Sequence, residues 1–145
     1  MAILVCLILP VRFGIAAAAE ISCTATQDFY CDTTGCTSNN EPNTIEVGVS
    51  VDLETGAGEL CEYSQCREFT AARFGSGAMW QAQLTLGPSN FVLAIQEQGI
   101  AVDEEDLQPT GAQLAIDLAK RSFVVSQHSD VTVSGYFGPC EIGEP

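Results

Sequence analysis

Apolar and polar side chains alternate along most of this chain, which is the pattern of β-strands with one buried face. The clearest case is residues 45–53, where every second side chain is aliphatic and Glu, Gly, Ser and Asp stand between them. Residues 78–86 repeat the pattern. A Gly-Pro-Ser-Asn turn at residues 87–90 then predicts a hairpin whose second strand contains Phe91, Leu93 and Ile95.

The same alternation occurs near both ends of the chain, over residues 21–26 and 131–137. Weaker strand candidates lie at residues 57–63, 67–74 and 123–127, and turn signals separate them. Short strands at such intervals indicate an all-β fold. We expect an antiparallel meander of about eight strands, either closed into a small barrel or folded into a sandwich.

Residues 110–121 carry two conflicting signals. Thr110 with Gln113 fits a helix capping box, and the Ala, Leu and Gln side chains favour a helix. The aliphatic side chains of residues 114–118 nevertheless alternate and repeat the pattern of residues 49–53. A strand is favoured, with a helix as the alternative.

Two long polar stretches interrupt the alternation. Residues 32–44 are rich in Thr, Asn, Gly and Ser and predict a loop. Residues 98–111 contain four consecutive acids and Pro109. This second stretch predicts one helical turn or an open loop over a barrel mouth.

The start of the chain resembles an export leader. Residues 1–11 are uncharged and mostly aliphatic, and four alanines ending at Ala19 precede Glu20. This predicts a signal peptide at residues 1–19 and a single exported β domain at residues 20–145. Arg12 interrupts the apolar run short of the ~20 residues of a membrane span. An uncleaved anchor is the alternative, and the missing basic residue before the run would fit a mis-assigned start codon.

The cysteines favour a disulfide framework. Cys6 lies in the leader, and the other six of the seven lie between Cys23 and Cys140, which suits the oxidising periplasm or extracellular space. Two pairs are separated by four residues and can each close a turn, leaving the outer two to join the first strand to the last. Among many permitted connectivities we therefore favour Cys31 with Cys36, Cys61 with Cys66, and Cys23 with Cys140. Metal or redox chemistry is disfavoured, because no CxxC motif is present and there is one histidine.

The strongly acidic composition of the chain restricts the classes of partner that it can bind. The chain has 19 acidic and 5 basic residues and a formal charge of −14 at pH 7. Nucleic acid and anionic membrane surfaces are therefore poor partners, and no membrane association is expected after leader removal. The acidity is compatible with basic proteins or cations as partners, and also with a requirement for solubility alone.

No catalytic constellation stands out. His128 lies in a Ser-Gln-His-Ser-Asp segment that reads as a polar turn, and no GxSxG motif is present. Oxygen ligands for calcium are offered by Asp103, Glu104, Glu105 and Asp106, but without the alternating DxDxDG spacing. A solvated acidic turn is favoured there, and neither a metal nor a cofactor is predicted.

A glycine-rich turn is the candidate binding loop. It comprises Gly75, Ser76, Gly77 and Ala78 beside Trp80, which shares a face with core positions. The turn resembles the Ser-Gly-Ala loop of bacterial lysozyme inhibitors of the small β-barrel type, which are exported and contain disulfides. The match covers a few residues, so the chain is not assigned to that family. The resemblance implies that Ser76, Gly77 and Ala78 would contact the enzyme, and the acidity would suit a basic target.

These observations predict an exported, non-catalytic binding protein of the cell envelope or extracellular space. Its partner would be a protein held on the loops or a small apolar ligand held inside the barrel. An inhibitor of a secreted enzyme is the sharper alternative, and a structural envelope protein is a further one. The sequence leaves the partner's identity and the oligomeric state open.

Overall fold

The computed structural model describes residues 19–41, 44–75 and 77–143, so the predicted leader lies outside it apart from Ala19. Strands dominate, and neither described helix is long and apolar enough to cross a membrane. The elements are β1 (Glu20–Thr24), β2 (Gln27–Asp32), β3 (Gly35–Asn39), β4 (Val47–Asp52), β5 (Ala57–Glu62), β6 (Gln65–Phe74), β7 (Met79–Ser89), α1 (Asn90–Glu97), α2 (Glu104–Leu107), β8 (Thr110–Asp117), β9 (Ser122–Ser129) and β10 (Thr132–Ile142).

Eight of the strands form a closed antiparallel barrel. From β4 to β10 each strand pairs with the next in the chain, and β1 pairs with both β4 and β10 to close the ring. At this seam Cys23 lies opposite Val49 on one side and Cys140 on the other. The predicted all-β antiparallel fold is confirmed, and it is a barrel rather than a sandwich.

The β2–β3 hairpin extends β10 beyond the barrel. One end of β10 pairs with β1 and the other with β2, so the chain leaves the barrel between them. At this point the Ala25 N–H donates to Val47 O (2.9 Å) and the Thr26 N–H to Phe137 O (3.0 Å). Gly138 lies so close to the point where the chain leaves the barrel that an added Cβ would collide with the carbonyl oxygen of Thr24. Only glycine fits there.

The barrel interior is filled with side chains. Alternate residues of β4, β7 and β8 are buried, as the period-two pattern predicts. The largest fully buried side chains are Trp80 and Phe123, and aliphatic residues surround them. Trp80 is 2 % exposed, so it belongs to the core rather than to an exposed binding loop. Close packing of this kind is the main source of stability in a small β fold.

The favoured strand in residues 110–121 is confirmed as β8, and its likeness to residues 49–53 has a structural cause. Asp52 Oδ1 accepts hydrogen bonds from the N–H groups of the next turn at 2.8 and 3.0 Å, and these bonds lower the pKa of that carboxyl. Asp117 Oδ1 likewise accepts the N–H groups of Ala119 and Lys120 after β8, at 3.0 and 2.9 Å. Both segments therefore end a strand with an aspartate that closes a tight turn.

Two sequence predictions were wrong. The predicted strand through Phe91, Leu93 and Ile95 is the helix α1, and β7 runs through the predicted turn to Ser89. Pro88 is tolerated there because β8 pairs with β7 only as far as Leu86. The Ser89 hydroxyl then accepts the Val92 N–H (3.3 Å) as the N-cap of α1.

The second error concerns residues 32–44, which were predicted as a loop but contain β3. Its side chains are almost all exposed, so it has no apolar period to detect. Residues 98–111 do contain the single helical turn that was one of the two expectations, namely α2.

All three predicted disulfides are present, and each joins residues directly opposite one another on neighbouring strands with Cα atoms 4.0 Å apart. Cys31–Cys36 closes β2–β3 and Cys61–Cys66 closes β5–β6. Cys23–Cys140 links β1 to β10 across 117 positions and is buried in the core. Such bonds are compatible with an oxidising location.

The seam disulfide should contribute most to stability. Replacing Cys23 and Cys140 with Ala removes a constraint on a very long loop, expected to cost about 5 kcal/mol, against about 2 kcal/mol for Cys61 and Cys66. Thermal and denaturant unfolding of the two double variants measures the difference. Equal losses of stability would contradict the entropic argument.

Candidate functional site

A cavity of about 600 Å³ opens at the end of the barrel where the β5–β6 turn meets the insertion between β7 and β8. We call this cavity and its lining the mouth site. The strands contribute Glu62, Gln65, Arg67, Ser89, Thr110 and Tyr136. The turn and the insertion contribute Tyr63, Ser64, Val92, Glu105 and Asp106.

The mouth site exists because the inward-facing positions change from apolar to polar at this end of the barrel. On β5, β6, β7 and β8 the last buried apolar residue is neighboured, toward this end of the barrel, by a polar residue that lines the cavity. The successive pairs are Leu60 and Glu62 on β5, Phe69 and Arg67 on β6, Leu86 and Ser89 on β7, and Ala112 and Thr110 on β8. On the inner side of these polar residues the barrel is packed with apolar side chains, and on the outer side polar groups surround an open cavity.

The Cys61–Cys66 disulfide holds one wall of the mouth site. All four residues that it encloses, from Glu62 to Gln65, line the cavity. Tyr63 has a φ of +56°, a left-handed conformation that is costly for a bulky side chain. Its N–H donates to Glu46 O at 2.6 Å, which helps to hold this turn. The hairpin is thus covalently restrained where it faces the cavity.

The β7–β8 insertion forms another wall and is tied to the same hairpin. Asn90, the first residue of α1, accepts the Cys66 N–H through Oδ1 at 3.0 Å and the Phe91 N–H at 2.9 Å. The insertion then returns as α2, which places Glu105 and Asp106 at the cavity. Two segments distant in sequence therefore meet around one opening.

Arg67 is half-buried in the mouth site and bridges three strands. Its Nε donates to Gly87 O at 2.8 Å, and one terminal nitrogen donates to Thr110 Oγ1 at 3.0 Å. These bonds span the irregularity in the β6–β7 pairing. In the part of the chain that the structure describes, no carboxylate forms an ion pair with Arg67.

Tyr136 is the titratable group that the mouth site perturbs most. Burial raises the pKa of its phenol to about 12, and the charge of the Glu62 carboxylate and a hydrogen bond to it act in the same direction. Tyr63 and Asp28 contribute less. Burial is thus the main cause of this pKa shift, and the neighbouring carboxylates add to it.

The barrel exterior is also strongly acidic on one side. Glu20 lies directly opposite Asp52, and Glu59 lies directly opposite Glu68. Like charges in such positions destabilise a sheet. These four acids line a shallow outer groove of about 680 Å³ to which no basic residue contributes.

The predicted binding loop does not join the mouth site. Gly75, Gly77 and Ala78 follow β6 at the opposite end of the barrel, and Ser76 lies outside the described residues. His128 is exposed near the end of β9 and does not line the cavity. The loop and the mouth are thus separate surfaces.

The four calcium candidates do not all lie at the same site. Glu105 and Asp106 line the mouth site, whereas Asp103 and Glu104 do not. Within residues 19–41, 44–75 and 77–143, one group of candidate metal ligands is close enough to share an ion, namely Glu59, Cys61 and Cys66. Its two sulfurs are consumed in a disulfide, so this group is not a metal site.

The mouth site was not predicted from the sequence, although a signal for it is present. Glu62 is in phase with the buried Leu60, and Arg67 is in phase with the buried Phe69. A charged residue in phase with a buried face marks the point where the interior ends. No family model, curated protein or solved structure matches this chain.

The Tyr136 phenol should ionise only at unusually high pH. Because the folded pKa is about 12 and the ordinary value is 10.0, folding favours the protonated phenol. Its contribution to stability is complete below pH 10 and is lost as the pH rises through 12. We expect Tyr136→Phe to remove the phenolate step at about pH 12 from an ultraviolet absorbance titration. Persistence of that step in this variant would contradict the assignment, and Tyr30→Phe, which should keep it, is the control.

Proposed function

We propose that this chain is an exported, non-catalytic binding protein and that it binds its ligand at the mouth site. The main support for this proposal is that the same strands bury a packed apolar core and, at one end, surround an open polar cavity. The cavity of about 600 Å³ has the size of an ordinary ligand site, roughly 300–1,000 Å³. The predicted leader and the three disulfides support export to the periplasm or the extracellular space.

The residues of the mouth site suit binding rather than catalysis. The Tyr136 phenol, whose pKa is raised to about 12, is hydrogen-bonded to the Glu62 carboxylate, so it offers a ligand an aromatic face and not a base. Two of the Arg67 donors are already used within the fold. Restrained walls of this kind lower the entropic cost of holding a ligand.

A polar ligand at the mouth is better supported than the apolar ligand inside the barrel that the sequence suggested. Trp80 and Phe123 occupy the middle of the barrel with the aliphatic side chains around them. An apolar guest would have to displace that packing, which costs several kcal/mol for large core side chains. The mouth site needs no such rearrangement.

Nuclear magnetic resonance of the isotopically labelled chain tests the location of binding. Small amines, carboxylic acids and alcohols at millimolar concentration serve as probes. At least one class should shift the backbone amide signals of Glu62, Arg67 and Thr110. The signals of Gly77 and Ala78, at the other end, should stay unchanged. Shifts confined to that other end, or none at all, would contradict binding at the mouth.

An inhibitor of a secreted basic enzyme is a second candidate, and the acidic exterior favours it. Paired carboxylates such as Glu59 and Glu68 cost stability unless a cationic surface covers them. Because residues 76–78 resemble the loop of lysozyme inhibitors, lysozyme is the first enzyme to test.

A lysozyme assay with the purified chain at micromolar concentration tests this candidate. If it is right, activity falls, and Glu59→Gln with Glu68→Gln weakens the inhibition because two interfacial charges are lost. Full lysozyme activity with the unaltered chain would reject that target.

A further inference from the structure

The lining of the mouth site has an excess of negative charge. Glu62, Glu105 and Asp106 contribute three carboxylates and Arg67 contributes one guanidinium. The acids come from two elements distant in sequence, β5 and α2. Asp28 of β2 adds to the negative potential at Tyr136. The cavity itself is lined by acids from two elements, β5 and α2.

Arg67 forms no direct ion pair with these acids. Its guanidinium is held on the β7–β8 side by Gly87 O and Thr110 Oγ1. Among the described residues the one ion pair joins Lys120 to Asp117, so no basic side chain lies within ion-pair distance of the mouth carboxylates. Glu62 is half-buried beside Tyr136, where an ion pair is screened less than at the surface.

Aromatic rings lie in the same lining as the acids. Tyr63 and Tyr136 both border the cavity, and the faces of phenol rings attract cations. The restrained hairpin keeps Tyr63 at the rim despite its unfavourable backbone conformation. Cavity, acids and aromatic rings are three separate features that suit the same kind of ligand.

The charge of the whole chain adds to this preference. A formal charge of −14 raises the local concentration of cations, and a cleft lined by acids concentrates the field further. Anionic ligands would have to overcome that field to reach Arg67. Neutral ligands would gain nothing from it.

We infer that the mouth site binds an ammonium or guanidinium group, with Glu62 and the α2 carboxylates as its counter-charges and the two tyrosines beside it. The inference rests on the proposed function and names the ligand class of that same site. Such a group occurs on a small free amine and on the Lys or Arg side chains of a basic protein. The experiment below distinguishes these two sources.

Three probes of equal chain length separate charge from shape: butylammonium, butanol and butyrate. Each is titrated into the labelled full chain, and the amide shifts of Glu62, Arg67 and Thr110 are followed. Butylammonium should bind at least about tenfold more tightly than butanol, the ratio that corresponds to 1.4 kcal/mol. Added salt should reduce that advantage.

A matched pair of variants locates the effect. Glu62→Gln and Glu59→Gln remove the same charge from the same strand, but Glu62 lines the mouth site and Glu59 lines the outer groove. Glu62→Gln should abolish most of the preference for butylammonium while butanol binding is unchanged. Glu59→Gln should leave the preference nearly intact.

The outcomes separate this inference from the proposed function. Equal binding of butanol or butyrate at the mouth, or equal effects of the two variants, would overturn the cation inference and leave mouth binding standing. Shifts by none of the probes would contradict mouth binding as well. An acetylated and amidated Gly-Lys-Gly peptide that shifts the same amides as strongly as butylammonium points to a protein side chain. A response to the free amine alone points to a small molecule.

Discussion

The pairing of β1 with both β4 and β10 closes the barrel, and the rest of the structure depends on that closure. The other barrel strands pair with their neighbours in the chain, so their pairing costs little loop entropy. The β1–β10 side of the seam joins segments more than a hundred positions apart, and closing so long a loop carries the greatest entropic cost. Cys23–Cys140 lies at this seam, where a covalent link is most effective.

Closure also creates the mouth site. A barrel end is a ring of inward-facing positions, so residues on β5, β6, β8 and β10 can surround one cavity although they are far apart in sequence. Polar side chains in this ring give up some of the apolar burial that the strands could otherwise have had. Arg67 and the Cys61–Cys66 disulfide offset part of that loss by holding the ring in shape.

The period of the sequence was sufficient for the antiparallel all-β fold and for the buried face of its strands, because alternation is a local property of each strand. It left barrel and sandwich open, since closure depends on the pairing of β1 with β10. The spacing of the cysteines also predicted the disulfides correctly, because four residues between two cysteines suit a tight hairpin. The period failed at α1, where a Gly-Pro pair looked like a turn although the strand runs through it. The mouth site could not be assembled from sequence, because bringing Glu62 to Tyr136 requires the register of β5 and β10, which do not pair directly.

The β2–β3 hairpin restores something that barrel closure removes, a sheet edge. In the strand order of the described residues, β3 comes last, so one side of its backbone faces outward. Edges of this kind invite intermolecular strand pairing. Here the edge strand is five residues long and composed of Gly, Cys, Thr, Ser and Asn, and its hairpin is held by Cys31–Cys36. A short, polar and covalently held edge can protrude from an otherwise closed fold without making the protein prone to aggregate.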